Sequence, residues 1–260
     1  VSTKHQGLDA FQEVDQQALF EPVTKKTFSI KKSSEIQNIL DEAFRTAMSP
    51  KTGPCAINIP RDICGETVKF NNSKKYQPDE SPKAKLSSMM KAVELLKKAN
   101  KPVIVCGAGI KQNDSSQESV LALAKLIKAP CVTSAGHADA LPHCSLNAGI
   151  FGPRGSEIAS RVVMESDTML VLGSRLGFNS TFFSNEYINE KTKIIHCEID
   201  ENAIGRYFPI EVGIHADAKT VADQLLVMLQ NHQAKTEAEQ WVKDFELERK
   251  AYLESRDKDA

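Results

Sequence analysis

No apolar run in this 260-residue sequence is long enough to cross a bilayer. The longest, such as Val103-Ile104-Val105-Cys106 and Met169-Leu170-Val171-Leu172, fit buried strands instead. Neither sign of charge dominates: 33 Lys and Arg against 34 Asp and Glu leave a net charge of -1. That balance gives no electrostatic pull toward nucleic acid or an anionic membrane. The six cysteines (55, 64, 106, 131, 144 and 197) never form a C-x-x-C pair, so neither a zinc site nor a secreted disulfide scaffold is indicated. Cys55, Cys106, Cys131 and Cys197 sit in or beside apolar strand-like runs, which points to reduced, mostly core cysteines in a cytoplasmic protein. A G-x-S-x-G hydrolase elbow is absent, and so is any internal repeat. No signal or transit pattern occurs. The chain opens at Val1, not Met, and runs at once into Gly7-Leu8-Asp9-Ala10-Phe11-Gln12, so a segment upstream is expected.

What is present has the balance of a globular protein, 41% hydrophobic and 26% charged. In residues 1–66, Thr27–Ile30 reads as a strand and Ser33 as the N-cap of an amphipathic helix. Its stripe is Ile36, Leu40, Ala43, Phe44 and Ala47. Cys55–Pro60 is a second strand, stopped by its proline. Strand, helix and strand cannot close a core, so this segment is expected to be the tail of a domain. Residues 67–82 lack periodicity and read as a linker that includes Asn71-Asn72-Ser73-Lys74-Lys75. Residues 83–232 then alternate regularly. A helix runs from Leu86 toward Asn100, followed by strand Val103–Cys106, the Gly107-Ala108-Gly109 turn and a helix opened by the capping box Ser115-Ser116-Gln117-Glu118. Strand Cys131–Thr133 precedes a long loop, Ser134–Gly152. Helix Gly155–Glu165, strand Thr168–Leu172, strand Lys193–Ile199 and helix Lys219–Leu229 complete the series. The fold class is therefore α/β: a parallel-sheet, Rossmann-like central domain preceded by a partial α/β domain. Residues 233–260 read as a charged helical linker.

Two places could carry chemistry. A strand, then Gly107-Ala108-Gly109, then a helix is half of a nucleotide-binding turn, but the third glycine position of G-x-G-x-x-G is Gln112. The turn is thus open to two readings, a ligand loop or a tight βα connection. Gly173-Ser174-Arg175 stands at another strand's carboxyl end, where open parallel sheets bind ligands. Arg175 could hold a phosphate or make an ordinary ion pair. His137 with Asp139, and His143 with Cys144, share one loop without the spacing of a helical metal site, and no metal ligand set is assigned.

Several stretches, in order, resemble the acetolactate-synthase-type thiamine-diphosphate (ThDP) enzymes. Asp9–Gln16 resembles the signature near the end of their pyrimidine-binding domain. Thr52–Asp62 resembles the G-P-x-x-x-x-I-P-[KR]-D strand that closes it. Gly149–Gly155, Asp167–Arg175 and Ile199–Gly205 resemble consecutive stretches of the central domain. Phe11–Gln16 and His137–Pro142 are also similar to sulfoacetaldehyde acetyltransferase. The likeness runs from about residue 5 to 230 and keeps its order.

The resemblance implies a carboligase or acyltransferase using ThDP and Mg²⁺ on 2-oxo acids or related carbonyl donors. It places Phe11 and Gln12 along the active-site cleft. It places Gly107, Ala108, Gly109, Gly173, Ser174 and Arg175 where true acetolactate synthases hold FAD. The family's glutamate for cofactor activation lies before the Phe-Gln signature, and its G-D-G motif for Mg²⁺-diphosphate lies beyond the central domain. Neither is in this sequence, which implies a chain that does not turn over alone. FAD is in doubt as well, because Leu176-Gly177-Phe178-Asn179-Ser180 stands where the family has Asp-Asp-Arg. The resemblance further implies a homo-oligomer, dimer or tetramer, with a small-molecule substrate. Two rivals stay open: a stand-alone nucleotide-binding module, and a non-catalytic interaction protein docking through residues 1–66 and 236–256.

Overall fold

The computed structural model describes residues 1–69, 76–111 and 114–258. Gln112 and Asn71–Lys75 of the expected linker lie outside those residues. The chain divides into two compact units, Val1–Ser81 and Pro82–Ala260.

The first unit is one strand–helix–strand turn with a loop folded onto it. Helix α1 (Gln16–Phe20) is capped by Asp15, whose carboxylate accepts from the Ala18 amide. Strand β1 (Lys26–Ser29), helix α2 (Ile36–Met48) and strand β2 (Cys55–Asn58) follow. The strands pair in parallel, with Lys26 opposite Cys55 and Ser29 opposite Asn58. Ser33 is not the N-cap of α2. It opens a 3-10 turn, Ser33–Glu35, and Glu35 precedes the helix without a side-chain cap. The Glu35 carboxylate instead accepts from the Lys31 amide at 3.2 Å. The stripe on α2 is real in spacing but poorly covered: Ala43 is buried, whereas Phe44 is 58% exposed.

The second unit is a six-stranded, all-parallel sheet. Its strands are β3 (Pro102–Cys106), β4 (Cys131–Thr133), β5 (Asn147–Ile150), β6 (Thr168–Leu172), β7 (Lys193–Glu198) and β8 (Val212–His215). The spatial order is β5-β4-β3-β6-β7-β8. Counted from β3, this is the doubly wound 3-2-1-4-5-6 order, whose switch point falls between β3 and β6. Helices α3 (Leu86–Lys98), α4 (Asp114–Ile127) and α7 (Ala218–Leu229) share a core with Ile104, Cys106, Leu170 and Leu172. Helices α5 (Glu157–Glu165) and α8 (Thr236–Lys258) share the other core with Val103, Val105, Met169 and Val171. Alternate strand residues thus feed opposite faces, each fully buried aliphatic contributing about 1.5–3 kcal/mol.

In this unit two strands and a short helix were not legible in the sequence. β5 lies inside the expected loop Ser134–Gly152, and β8 and helix α6 (Phe178–Thr181) lie in stretches with no assigned element. Both strands are four-residue sheet edges containing a glycine, with no continuous apolar run to announce them. The capping box at Ser115 is also displaced, since α4 begins at Asp114 and Ser115 lies inside it. Helix α8, charged over most of its surface, buries Ala238, Trp241, Val242 and Phe245 at helical spacing against this unit. Its Arg249 donates to the Asn147 carbonyl at 2.8 Å, covering a group on the edge strand β5.

All six cysteines are free. Burial pushes the thiols of Cys106, Cys131 and Cys197 well up, so they stay protonated and inert as core side chains. Among the described residues, no helix is long and apolar enough to cross a membrane.

Candidate functional site

In the first unit, the carboxyl ends of β1 and β2 face the loop that carries Phe11 and Gln12. A cavity of about 420 Å³ opens there, lined by Gln12, Gln16, Gln17, Ser29, Lys31 and Asn58 among others. Phe11 does not line it and stands 87% exposed. Gln12 has φ +61°, in the left-handed region that costs a non-glycine residue about 1–3 kcal/mol. The Ile30 amide donates to the Asn58 carbonyl at 3.0 Å, extending the pairing past the strands to the cavity floor. The cavity offers side-chain amides, one lysine and the carboxylates of Glu13 and Asp15, which already accept from backbone amides, a lining suited to hydrogen-bonding a polar organic group. Asp62, just past β2, accepts from both the amide and the hydroxyl of Thr3, at 3.0 and 2.5 Å. These bonds hold its carboxyl well below the usual range, the hydroxyl bond first, and anchor the start of the chain beside the strand end.

In the second unit, the sequence-selected residues converge at the switch point. Gly107 and Gly109 follow β3, and Gly173, Ser174 and Arg175 follow β6. The two loops interlock backbone to backbone. The Gly109 amide donates to the Gly173 carbonyl at 3.1 Å, and the Gly107 amide to Leu172 at 3.0 Å. A Cβ on Gly109 would sit 2.8 Å from the Gly173 Cα, and one on Gly107 would sit 2.6 Å from the Ser174 Cα. The space opened by these glycines is filled by protein. Ala108 is exposed and opens a short 3-10 turn, Ala108–Ile110, between β3 and α4.

Beneath the loops, buried polar groups tie the ends of three strands, β4, β6 and β7, together. The Ser134 and Ser174 hydroxyls lie 2.6 Å apart. His196 Nε2 meets the Ser174 carbonyl at 2.8 Å, and its Nδ1 accepts from the Gly205 amide at 3.2 Å. With a donor facing Nδ1 and an acceptor facing Nε2, the ring is neutral with its proton on Nε2. Glu198 is buried at the end of β7, and its Oε1 accepts from the Ile199 and Asp200 amides at 3.2 and 3.4 Å. Burial raises its carboxyl, against the lowering pull of those amides and of the exposed Arg175. His196, Glu198 and Ser134 were missed from the sequence. Their signal was a polar residue inside or just after an otherwise apolar strand.

Burial also lowers the imidazole of His196 below the usual 6.5. The unfolded chain therefore takes up the proton first, and the stability of this arrangement, complete above pH 6.5, is lost as pH falls toward the folded value. Thermal unfolding between pH 7.5 and 5 is expected to show falling stability, with a shallower slope in His196→Gln. His137 and His232 are lowered too, mainly by burial, so some slope remains. An unchanged slope would show that His196 is not the group responsible.

The other histidines do not gather ligands. Among the described residues, no group of three or more His, Cys, Asp or Glu side chains converges as a metal would require. Asp139 instead pairs with Lys111.

A doubly wound parallel sheet with polar loops meeting at its switch point defines a Rossmann-like domain. The model of the family described as thiamine pyrophosphate enzyme, central domain, matches residues 89–225, and the chain belongs to that family. It is 34% identical over 236 residues to a probable acetolactate synthase large subunit of Methanocaldococcus jannaschii, covering 88% of this chain and 40% of that protein. The acetolactate synthase large subunit of Corynebacterium glutamicum is 32% identical over 91% of this chain and 38% of its own length. Sulfoacetaldehyde acetyltransferase of Alcaligenes xylosoxydans is 34% identical over 86% of this chain and 37% of its own. The chain thus spans about two fifths of the length of these curated relatives.

Proposed function

We propose that these residues are a portion of a ThDP-dependent carboligase or acyltransferase of the acetolactate-synthase type, acting on 2-oxo acids or related carbonyl donors. The observation that carries this reading is the pairing of a central-domain match with a cavity at the carboxyl ends of β1 and β2, beside the Phe11–Gln12 loop. Residues 1–66 then belong to the pyrimidine-binding domain, and residues 83–232 to the central domain. The working enzyme is a cytoplasmic homodimer or homotetramer.

The described residues do not fit the Mg²⁺-diphosphate end of the cofactor: no group of three ligands converges among them, and the two carboxylates lining the first unit's cavity, Glu13 and Asp15, are already engaged by backbone amides. In this reading its holder and the activating glutamate lie in other sequence, and residues 1–260 alone do not turn over. In this reading Phe11 supplies an apolar surface next to the reacting groups, and Gln12 supplies an amide that orients them. The assay is formation of acetolactate from pyruvate, and of acetyl phosphate from sulfoacetaldehyde and phosphate, with ThDP and Mg²⁺. One of the two is expected from the complete polypeptide and neither from residues 1–260. Turnover by residues 1–260, or none by the complete polypeptide, would sink the reading.

The switch-point residues do not fit FAD. The Gly109 amide is already bonded to Gly173, and the glycine cradle is packed with backbone. Titration of the purified chain with FAD, NAD⁺ or ADP is therefore expected to show no saturable micromolar binding. Such binding would restore the nucleotide-module reading.

A further inference from the structure

The loop before α1 has an unusual backbone: Gly7, Asp9 and Gln12 all lie in the left-handed region, at φ +77°, +53° and +61°. No regular element frames it on its amino-terminal side beyond the 3-10 turn Thr3–His5. One side chain closes it. Glu13 Oε1 accepts from the Gly7 amide at 2.6 Å, and Oε2 accepts from the Ala10 amide at 3.1 Å. The Glu13 amide returns a bond to the Ala10 carbonyl at 2.9 Å. Residues 7–13 are thus wound around a single carboxylate, with Phe11 and Gln12 at the turn it creates.

We propose that Glu13 is the positioning residue of this loop, fixing where Phe11 and Gln12 stand at the carboxyl ends of β1 and β2. The proposal rests on the reading of Phe11 and Gln12 as active-site residues. The physical reason is that two left-handed non-glycine residues persist only where the surroundings over-determine them. Here the surroundings are two charge-assisted hydrogen bonds to one anion, the stronger kind of such bond. Those same amides, Gly7 first and Ala10 next, hold the Glu13 carboxyl below its usual value. The loop therefore keeps its anion across the neutral range.

Glu13→Gln tests it, because it keeps the side chain's length while turning one acceptor oxygen into a donor, so one of the two amides loses its partner. In residues 1–260, amide exchange at Gly7 or Ala10 is expected to accelerate about tenfold or more, the size of one lost hydrogen bond to a charged group. Amides of α2 should be unaffected. In the complete polypeptide, the partition between two competing carbonyl donors differing by one methylene is expected to shift. That ratio does not depend on how much enzyme is folded, so general destabilisation cannot mimic it. Phe11→Ala and Gln12→Ala serve as references. Unchanged exchange in Glu13→Gln overturns the proposal. So does a shift in the two reference variants without one in Glu13→Gln, which leaves the active-site reading intact. No shift in any variant defeats that reading, and the positioning role with it.

Discussion

Replacing Gly173 by alanine is expected to cost about 4 kcal/mol or more, enough to lower the melting temperature by roughly 10 °C or prevent folding. Two effects add. Gly173 has φ +61°, a conformation that penalises any L side chain by about 1–2 kcal/mol. A Cβ there would also stand 2.6 Å from the Gly109 Cα and 2.8 Å from its amide nitrogen. Both are backbone atoms, so relief requires the β3 and β6 loops to part and break the Gly109–Gly173 bond. Gly177→Ala is the control: it lies four residues on, with nothing within 4 Å of its would-be Cβ and no left-handed φ. It should change the melting temperature by no more than a surface substitution does, within about 0.5 kcal/mol. The pair separates two uses of glycine. If these glycines made room for a ligand, Gly173→Ala would fold normally and lose only binding. If they lock two crossover loops, it fails to fold while Gly177→Ala does not. A normal melting temperature for Gly173→Ala would mean that the loops part easily, and the crevice would again be open to a nucleotide.

The interlocked loops show how far a sequence can be read here. The strands β3, β4 and β6 were legible because Val103–Cys106, Cys131–Thr133 and Met169–Leu172 are buried on both faces and so read as apolar runs. β5 and β8 were not, because an edge strand such as Asn147-Ala148-Gly149-Ile150 takes its stability from one neighbour and from side chains far away in sequence, here Arg249. The glycines were legible as residues of interest, and Gly107, Gly109 and Gly173 do converge. Whether that space takes a phosphate or a second loop depends on a contact spanning more than sixty residues, which no local motif encodes. His196 was hidden for a related reason: its partners, Ser174 and Gly205, come from two other connections. On α2 the stripe gave the correct helix, but burial needs covering elements, and Phe44 has little beyond Tyr76, with ring centroids 6.2 Å apart.

Phe245→Ala is expected to destabilise the second unit by about 3–5 kcal/mol, the usual cost of emptying a buried aromatic site. Phe245 is 1% exposed and shares a core with Val103, Val105 and Trp241, so its loss leaves a cavity beneath α8. Trp241 reports the event directly, since it is the only tryptophan in the sequence. In the folded protein its indole is buried, donates from Nε1 to the Pro102 carbonyl at 3.0 Å and lies beneath the Lys101 ammonium at 5.1 Å. Loosening α8 would expose the indole and shift its emission to longer wavelength before the sheet melts. Leu247→Ala, at a position 70% exposed on the same helix, controls for helix propensity and should leave both readings nearly unchanged. A charged helix at the end of a domain reads from sequence as a linker, and a linker would tolerate Phe245→Ala without effect on emission or melting. The two outcomes differ by several kcal/mol. A large loss would make α8 a packed part of this unit, the cover of the sheet face that carries Val103, Val105, Met169 and Val171.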